Sequence, residues 1–135
     1  MIEVVAAIIE LEGKLLAFQR GTAKYDYVSR KFEFPGGKVE EGEDRKHALA
    51  RELNEELKLN AEIKDFIVTT EHIYPDFSVK MHCFLVHLDI FDGKLTEHLS
   101  YQHVSLKEAN DLDWIEADRP VLRILHERFT HVFEK

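Results

Sequence analysis

The first part of the chain consists of apolar runs separated by short polar segments. Residues 2–10 are almost entirely apolar and rich in β-branched side chains, which predicts a buried strand. The pair Glu12-Gly13 predicts a turn, and residues 14–19 form a second apolar run. These two runs are therefore expected to form a β-hairpin. The polar residues 21–31 predict a loop.

The hydrophobic spacing becomes helical after a glycine pair. Residues 32–34, Phe-Glu-Phe, predict a short strand that leads into this pair. A helix is expected to begin near Glu43 or Asp44 and to end at residues 58–60, with Asn60 as a left-handed cap. At about 100° per residue, one arc of this helix is apolar and is expected to pack inward. That arc holds Leu49, Ala50, Leu53 and Leu57.

The next part of the chain predicts two long strands. Residues 61–72 and 79–90 have strand character, and residues 74–76 predict the break between them. Apolar side chains occupy both alternating faces of the second strand, which favours a central position in a sheet. Its histidines, His82 and His87, are interpreted as core or interface residues. The pair Asp92-Gly93 predicts a hairpin turn after it.

Two helices are predicted in the C-terminal part. Ser105 and Glu108 have the spacing of a capping box, which predicts the start of a short helix. Asp118 precedes Pro120 by two residues, so it suits the N-cap of a terminal helix. The apolar stripe of this helix comprises Val121, Leu122, Ile124, Leu125, Phe129 and Val132.

Composition narrows the class of protein. A chain of 135 residues with 44% hydrophobic and 33% charged residues predicts one globular domain over residues 1–135. The single cysteine, Cys83, suits a reducing compartment and predicts a cytoplasmic protein. Glu3, Glu10 and Glu12 interrupt the apolar N-terminus, which argues against a secretory signal or a membrane span. The net charge of −8 argues against binding to nucleic-acid polymers.

Three carboxylates share one narrow arc of the predicted helix, namely those of Glu52, Glu55 and Glu56. Like charges at positions i and i+4, here Glu52 and Glu56, destabilise a helix by a few tenths of a kcal/mol. A compensating cation is therefore expected, and Mg²⁺ is the natural candidate because it takes oxygen ligands beside phosphates. Arg51 is placed to orient Glu55 by an ion pair. The alternative is a solvated acidic helix face.

The glycine pair favours a functional site over a solvated face. Gly36 and Gly37 allow the backbone to approach a ligand closely. From Gly37 onward the spacing resembles the signature of the Nudix hydrolases, G-x5-E-x7-R-E-U-x-E-E-x-G-U, in which U is a bulky aliphatic residue. Lys58 stands where the signature has its last glycine, which leaves the shape of the helix cap open. The start of the chain, the glycine loop and the A-D-R-P sequence at 117–120 resemble the MutT and CTP pyrophosphohydrolase group.

This resemblance implies a fold and an activity. The fold is a mixed β-sheet sandwiched between α-helices, an α/β/α Nudix fold. The activity is hydrolysis of a nucleoside triphosphate to the monophosphate and pyrophosphate, with one to three Mg²⁺ ions that activate water and Mn²⁺ able to substitute. Glu52 or Glu55 takes the proton from water, and Arg51 supports them. The implied metal ligands are Glu52, Glu55, Glu56, Glu97 and the Gly36 carbonyl group.

A second set of residues is expected to bind the substrate. Arg20 is either a guanidinium fork for a phosphate or a surface charge. Phe34 and Tyr74 are either stacking walls for the base or ordinary core residues. Gly37 and Lys38 complete the part of this set that lies near the glycine loop.

Asp118 is the residue of this set that bears on the base. In MutT the matching asparagine reads oxidised guanine, and in relatives that prefer CTP an aspartate stands there. An ionised aspartate only accepts hydrogen bonds, and cytosine and adenine offer an exocyclic amine. Asp118 therefore favours CTP, dCTP, their 5-substituted forms or a 2-hydroxyadenine nucleotide, and 8-oxoguanine could still bind through its ring N–H donors.

Other functions within the same family stay open at this point. They are an 8-oxo-dGTP diphosphatase of the MutT type, a hydrolase of other nucleoside diphosphate derivatives, and a nucleotide sensor that does not hydrolyse. The complete acidic helix argues against the sensor, and the compact chain favours a small triphosphate. A role in cleansing the nucleotide pool, as in DNA repair, would follow from a modified substrate. The expected partners are a small nucleotide and, in a homodimer, a second copy; a monomer is the alternative.

Overall fold

The computed structural model describes residues 1–133 and contains one mixed sheet of seven strands with helices on both faces. The strand order is β3-β2-β1-β6-β5, with β4 paired to β1 and β7 paired to β2. The elements are β1 (Ile2–Leu11), β2 (Lys14–Gln19), β3 (Phe32–Glu33), β4 (Gly36–Lys38), α1 (Arg45–Leu57), β5 (Phe66–Ile73), β6 (Ser78–Leu88), β7 (Ser100–Val104), α2 (Leu106–Ala109), a 3₁₀ turn (Glu116–Asp118) and α3 (Arg119–Arg128).

The centre of the sheet is a parallel pair, β1 and β6. The pairing runs from Ile2 opposite Val79 to Leu11 opposite Leu88. Strand β6 has β5 on its other side, so the predicted central position is confirmed. The other strand pairs are antiparallel, and the predicted hairpin of β1 and β2 turns at Glu12 and Gly13.

Alternate residues of the central strands enter two separate cores, which is the physical basis of the sandwich. On one face, Val5, Ala7 and Ile9 pack with the apolar arc of α1. On the other face, Ala6 and Ile8 pack with residues of α2 and α3. The predicted α/β/α arrangement is therefore confirmed. The α1 residues in the first core are Ala48, Leu49, Leu53 and Leu57, so Ala48 takes the place predicted for Ala50.

Helix α1 begins where the sequence predicts, but its end differs. The side chain of Asp44 accepts hydrogen bonds from the first turn and acts as the N-cap. At the other end Lys58, not Asn60, takes the left-handed conformation, with φ of 55°. Lys58 N–H donates to Asn54 O at 3.0 Å, and Leu59 N–H donates to Leu53 O at 3.3 Å. The bond from Lys58 N–H to Asn54 O is that of an αL cap motif, built here without the expected glycine.

The segment after β6 does not form a hairpin. Strand β7 pairs with β2 instead of β6, so the turn predicted at Asp92-Gly93 is wrong. The segment passes the end of α1, where Lys94 N–H donates to Leu57 O at 2.8 Å and Thr96 N–H donates to Glu56 O at 3.0 Å. The last carbonyl groups of a helix lack intrahelical partners, and this contact satisfies two of them.

The other differences concern boundaries and exposure. Residues 61–65 lie outside β5, β6 ends at Leu88, and the strand predicted over 32–34 ends at Glu33. His82 is buried as predicted, whereas the His87 side chain is half exposed. Phe129 and Val132 pack on the core from beyond the end of α3. Within residues 1–133, none of the helices is both long and apolar enough to cross a bilayer.

Candidate active site

The glycine loop and α1 meet in close contact. Gly36 lies opposite Ala6 in the pairing of β4 with β1, and a Cβ atom on Gly36 would lie 1.9 Å from Val5 O. A Cβ atom on Gly37 would lie 2.4 Å from Cδ of Glu52. The backbone of β1 therefore requires glycine at the first position, whereas a larger residue at the second would displace a carboxylate of the acidic helix face.

Arg51 holds the acidic residues in place. Its Nε and Nη2 atoms donate to the two oxygens of Glu43 at 2.9 and 3.0 Å, and Nη1 donates to Glu52 at 3.0 Å. The predicted ion pair with Glu55 is present, but it is longer, at 3.4 Å. The Arg51 hydrogen bond is the main reason that the pKa of Glu43 is lowered to about 2. Arg51 also donates to the backbone carbonyl of Lys38 at 3.1 Å, which ties the helix to the loop.

The three carboxylates of the acidic face differ in burial. Glu56 is buried, and its Oε2 atom accepts a hydrogen bond from Gly36 N–H at 3.2 Å. Burial, with the nearby charges of Glu33, Glu52 and Glu97, raises the pKa of Glu56 to about 9. Burial likewise raises the pKa of Glu52. The Glu55 side chain is 57% exposed.

The donors present suit a hard divalent cation. Glu97, from the segment before β7, lines a polar cavity together with Glu56. Carboxylates whose pKa values are raised by burial and by neighbouring carboxylates are groups that a cation would stabilise, and Mg²⁺ prefers oxygen donors. As placed, no three acidic, histidine or cysteine side chains of residues 1–133 converge around one point. The residues that would hold Mg²⁺ are Glu52, Glu55, Glu56, Glu97 and the Gly36 carbonyl group.

A cleft of about 250 Å³ opens beside the acidic face. Gly36 and Glu56 line this cleft, so two of the predicted metal ligands lie in its wall. Apolar walls that the sequence analysis did not single out come from Val28, Phe77 and Ile115. Their apolar character alone does not distinguish them from core residues. All of the predicted substrate-binding residues line this cleft, namely Arg20, Phe34, Gly37, Lys38, Tyr74 and Asp118.

Asp118 is buried in the cleft wall and does not cap α3. Its Oδ2 atom accepts a hydrogen bond from Phe34 N–H at 2.9 Å, and it makes no side-chain cap hydrogen bond. Burial raises the pKa of Asp118 well above its ordinary value. Burial therefore disfavours the ionised form of Asp118 that the sequence suggests. A neutral carboxyl group donates as well as accepts a hydrogen bond.

The two aromatic candidates line the cleft and also pack into the interior. The ring of Phe34 lies 4.7 Å from that of Trp114. The ring of Tyr74 stacks on Tyr27 at 5.2 Å, and its hydroxyl group accepts a hydrogen bond from Ala117 N–H at 2.9 Å. The two interpretations of these residues, base wall and core residue, are therefore compatible.

Arg20 lies at the boundary between the cleft and the polar cavity. The cavity has a volume of about 310 Å³. Arg20 lines both spaces, and its Nη1 atom donates to Glu33 at 2.8 Å. Glu33 and His98 were not selected from the sequence, because nothing in their local spacing relates them to Arg20. The cavity is lined by Arg20, Gly21, Thr22, Ala23, Glu33, Glu56, Glu97 and His98.

Comparison with known proteins agrees with this geometry. The family model described as the NUDIX domain matches residues 1–125, and the chain belongs to this family. The chain is 39% identical over 124 residues to a CTP pyrophosphohydrolase from Escherichia coli, covering 90% of this chain and 89% of the relative. It is 28% identical over 123 residues to an 8-oxo-dGTP diphosphatase from the same organism, covering 90% and 93%.

A solved structure supports the same assignment. The crystal structure of a MutT protein from Methanosarcina mazei superposes with a TM-score of 0.83 at 27% identity, covering 93% of this chain and 94% of the other. The predicted family, its fold and the class of enzyme, a hydrolase of nucleotide anhydrides, are therefore confirmed. Nudix hydrolases generally use a divalent metal ion, usually Mg²⁺, and the relatives act on small nucleotides.

Proposed function

We propose that this chain is a Mg²⁺-dependent nucleoside triphosphate pyrophosphohydrolase, built as one domain, that prefers CTP, dCTP or a related modified nucleotide. The observation that carries the proposal is one cleft whose lining includes both Asp118 and buried Glu56. A base at Asp118 would direct its phosphates toward the acidic face of α1. The E. coli relative named for CTP hydrolysis supports the choice of base.

The reaction assigns a role to each group of residues. Mg²⁺ bound to the acidic residues would neutralise phosphate charge and acidify water. Glu52 or Glu55 accepts a proton from water as it attacks an inner phosphorus. Attack at the α-phosphorus expels pyrophosphate and attack at the β-phosphorus expels the nucleoside monophosphate; in both cases the leaving group takes the electron pair of the broken P–O bond and the products are the same. Burial raises the pKa of Glu52, which brings its basicity closer to the operating pH. Arg51 fixes the orientation of Glu52 through the bond at 3.0 Å.

The substrate is held by groups along the cleft. Arg20 binds phosphate oxygens, because a guanidinium group suits them. Phe34 and Tyr74 face the base, and Gly37 and Lys38 form the loop beneath the phosphates. Asp118 hydrogen-bonds the edge of the base.

A second candidate is hydrolysis of 8-oxo-dGTP. The neutral form of Asp118 favours it, since a protonated carboxyl group can donate to the O6 atom of an oxidised guanine. Other relatives of this chain carry the name 8-oxo-dGTP diphosphatase, including one from Mycobacterium tuberculosis that is 36% identical over 95 residues. Such an activity would remove damaged nucleotides from the pool.

The deciding experiment is a turnover panel that measures pyrophosphate release from CTP, dCTP, 5-methyl-dCTP, 2-hydroxy-dATP and 8-oxo-dGTP, with Mg²⁺, with Mn²⁺ and with EDTA. We expect the highest kcat/KM with a cytosine nucleotide and loss of turnover in EDTA. Glu55→Gln and Glu56→Gln should each lower kcat by about a hundredfold or more while the circular dichroism spectrum stays unchanged. Full turnover in both variants would refute the metal assignment. Hydrolysis of ADP-ribose to AMP and ribose 5-phosphate, with no pyrophosphate released from any triphosphate, would indicate a different substrate class.

Two further properties belong to the same proposal. We expect a cytoplasmic enzyme, because Cys83 is a free buried thiol and a reducing compartment preserves it. We expect a monomer or a homodimer, which sedimentation at several protein concentrations distinguishes. Its partner is a small nucleotide and not a nucleic-acid polymer, since the net charge of −8 opposes polymer binding.

A further inference from the structure

Arg20 is placed at the boundary of two spaces, but it has few contacts to keep it there. Among the described residues, its side chain has one hydrogen-bond partner, Glu33, at 2.8 Å. Its Nε atom is buried without a partner. The other guanidinium donors of Arg20 are therefore free to bind a ligand. They present a single orientation to that ligand only when the residue that holds Arg20 is itself rigid.

Glu33 is that rigid point, because both of its oxygen atoms are engaged. Oε1 accepts from Arg20, and Oε2 accepts from Nε2 of His98 at 2.8 Å. The Glu33 side chain is only 14% exposed. His98 is itself immobilised, since its side chain is 3% exposed and its ring lies 5.4 Å from that of Phe18. The chain of contacts therefore runs from the core through His98 and Glu33 to Arg20.

The energetic consequence concerns binding more than folding. An arginine side chain loses rotamer freedom when a ligand immobilises it, and this loss weakens binding. If Glu33 orients the guanidinium group before the substrate binds, Arg20 loses this conformational entropy during folding. Substrate binding is then not weakened by it. A charge-assisted hydrogen bond to a carboxylate is among the stronger contacts available for this purpose.

We propose that Glu33 is a positioning residue for substrate binding, which acts by holding the Arg20 guanidinium group between the cleft and the polar cavity. His98 supports Glu33 in this role. The inference rests on the proposed function, since it takes Arg20 as the group that binds the triphosphate. It adds two residues that neither the signature spacing nor the acidic face of α1 contains.

The test is a double-mutant cycle on Glu33→Gln and Arg20→Met, with KM and kcat measured for the best triphosphate of the panel. We expect Glu33→Gln to raise KM about tenfold with kcat within about threefold of wild type. In the Arg20→Met background, Glu33→Gln should change KM no further, because the residue it positions is gone. His98→Asn should raise KM in the same direction by a smaller factor.

A matched control separates positioning from general damage. Glu10, in β1, resembles Glu33 in its surroundings. Its side chain is 12% exposed and contacts a histidine, His87, and it accepts a second hydrogen bond from Gly13 N–H. It lies outside both the cleft and the polar cavity. Glu10→Gln should therefore leave KM and kcat unchanged, even if it lowers the melting temperature as much as Glu33→Gln does.

The outcomes distinguish this inference from the proposed function. An unchanged KM in folded Glu33→Gln would overturn the inference. So would an increase in KM that persists in the Arg20→Met background, or an effect of Glu33→Gln on kcat instead of KM. That last pattern would mean that Glu33 acts on Glu56 by charge instead. If wild type hydrolyses no triphosphate, the proposed function fails. In that case, calorimetry measures the dissociation constant of a non-hydrolysable CTP analogue for the same four proteins, and this constant replaces KM in the double-mutant cycle.

Discussion

At the scale of single residues, Gly37 lies directly against the Glu52 side chain. A methyl group at Gly37 would lie 2.4 Å from Cδ of Glu52, and the side chain can turn away while the backbone stays. We therefore expect Gly37→Ala to lower kcat by about a hundredfold with little loss of stability. Steady-state kinetics and urea unfolding measured on the same variant check this.

Two other glycines serve as controls for this prediction. Gly36→Ala would place the new atom 1.9 Å from the backbone oxygen of Val5, so it should prevent stable folding. Gly42 has φ of 76° with no atom within 4 Å of an added Cβ, so Gly42→Ala should cost about 1 kcal/mol of stability and leave kcat unchanged. A fully active Gly37→Ala variant would contradict the placement of Glu52 against the loop.

A second prediction for a single residue concerns Asp118 and the choice of base. Asparagine keeps an oxygen that can accept from Phe34 N–H, at 2.9 Å in this structure, so Asp118→Asn should fold normally. An amide always offers a donor, whereas the carboxyl group offers one only when neutral. We expect the ratio of kcat/KM for 8-oxo-dGTP to that for dCTP to rise about tenfold. An unchanged ratio across the substrate panel would show that Asp118 serves only to hold the loop at Phe34.

At the scale of elements, the end of α1 carries a cost that glycine would remove. Lys58 has φ of 55°, and a left-handed conformation costs a residue with a side chain about 1 kcal/mol. Lys58→Gly should therefore raise the free energy of unfolding by about 1 kcal/mol and the melting temperature by roughly 3 °C. Urea and thermal unfolding measure both changes.

Asn60 provides the comparison for the helix cap. It is not among the described non-glycine residues with positive φ, so Asn60→Gly gains nothing from the freedom of glycine. That variant should be no more stable than wild type, because glycine adds flexibility to the unfolded chain. Equal stabilisation by both substitutions would argue against the left-handed cap at Lys58.

At the scale of the whole molecule, the buried carboxylate of Glu56 couples folding to pH. Its pKa is about 9 in the folded protein, mainly because of burial, and near 4.5 in the unfolded chain. The folded state therefore binds more protons between these values, so this group lowers stability progressively as pH rises from about 4.5 to about 9. In EDTA, Glu56→Gln should remove that loss and be more stable than wild type at pH 8, although it is inactive.

The measurement is the free energy of unfolding of both proteins in urea at pH 5 and pH 8. We expect the two to be similar at pH 5 and to differ by about 1 kcal/mol or more at pH 8. A difference that does not depend on pH would mean that Glu56 is not the group responsible. Stability given up for a reactive site is a common feature of enzymes.

By itself the sequence determined what depends on local spacing. The apolar run of β1, the shared arc of Glu52, Glu55 and Glu56, and the capping box at Ser105 follow from the order of residues within a short segment. The glycine loop could be related to this arc because a short segment joins them. These features sufficed to predict the family and the sandwich of helices about a mixed sheet.

Only the tertiary structure decided which distant residues meet. Asp118 reaches Phe34 across 84 residues, and Glu33 reaches His98 across 65. Such contacts depend on the register in which strands pair and helices pack, and local spacing carries no information about that register. The burial that raises the pKa of Glu56 and Asp118 arises in the same way, since it comes from residues brought together by the whole fold.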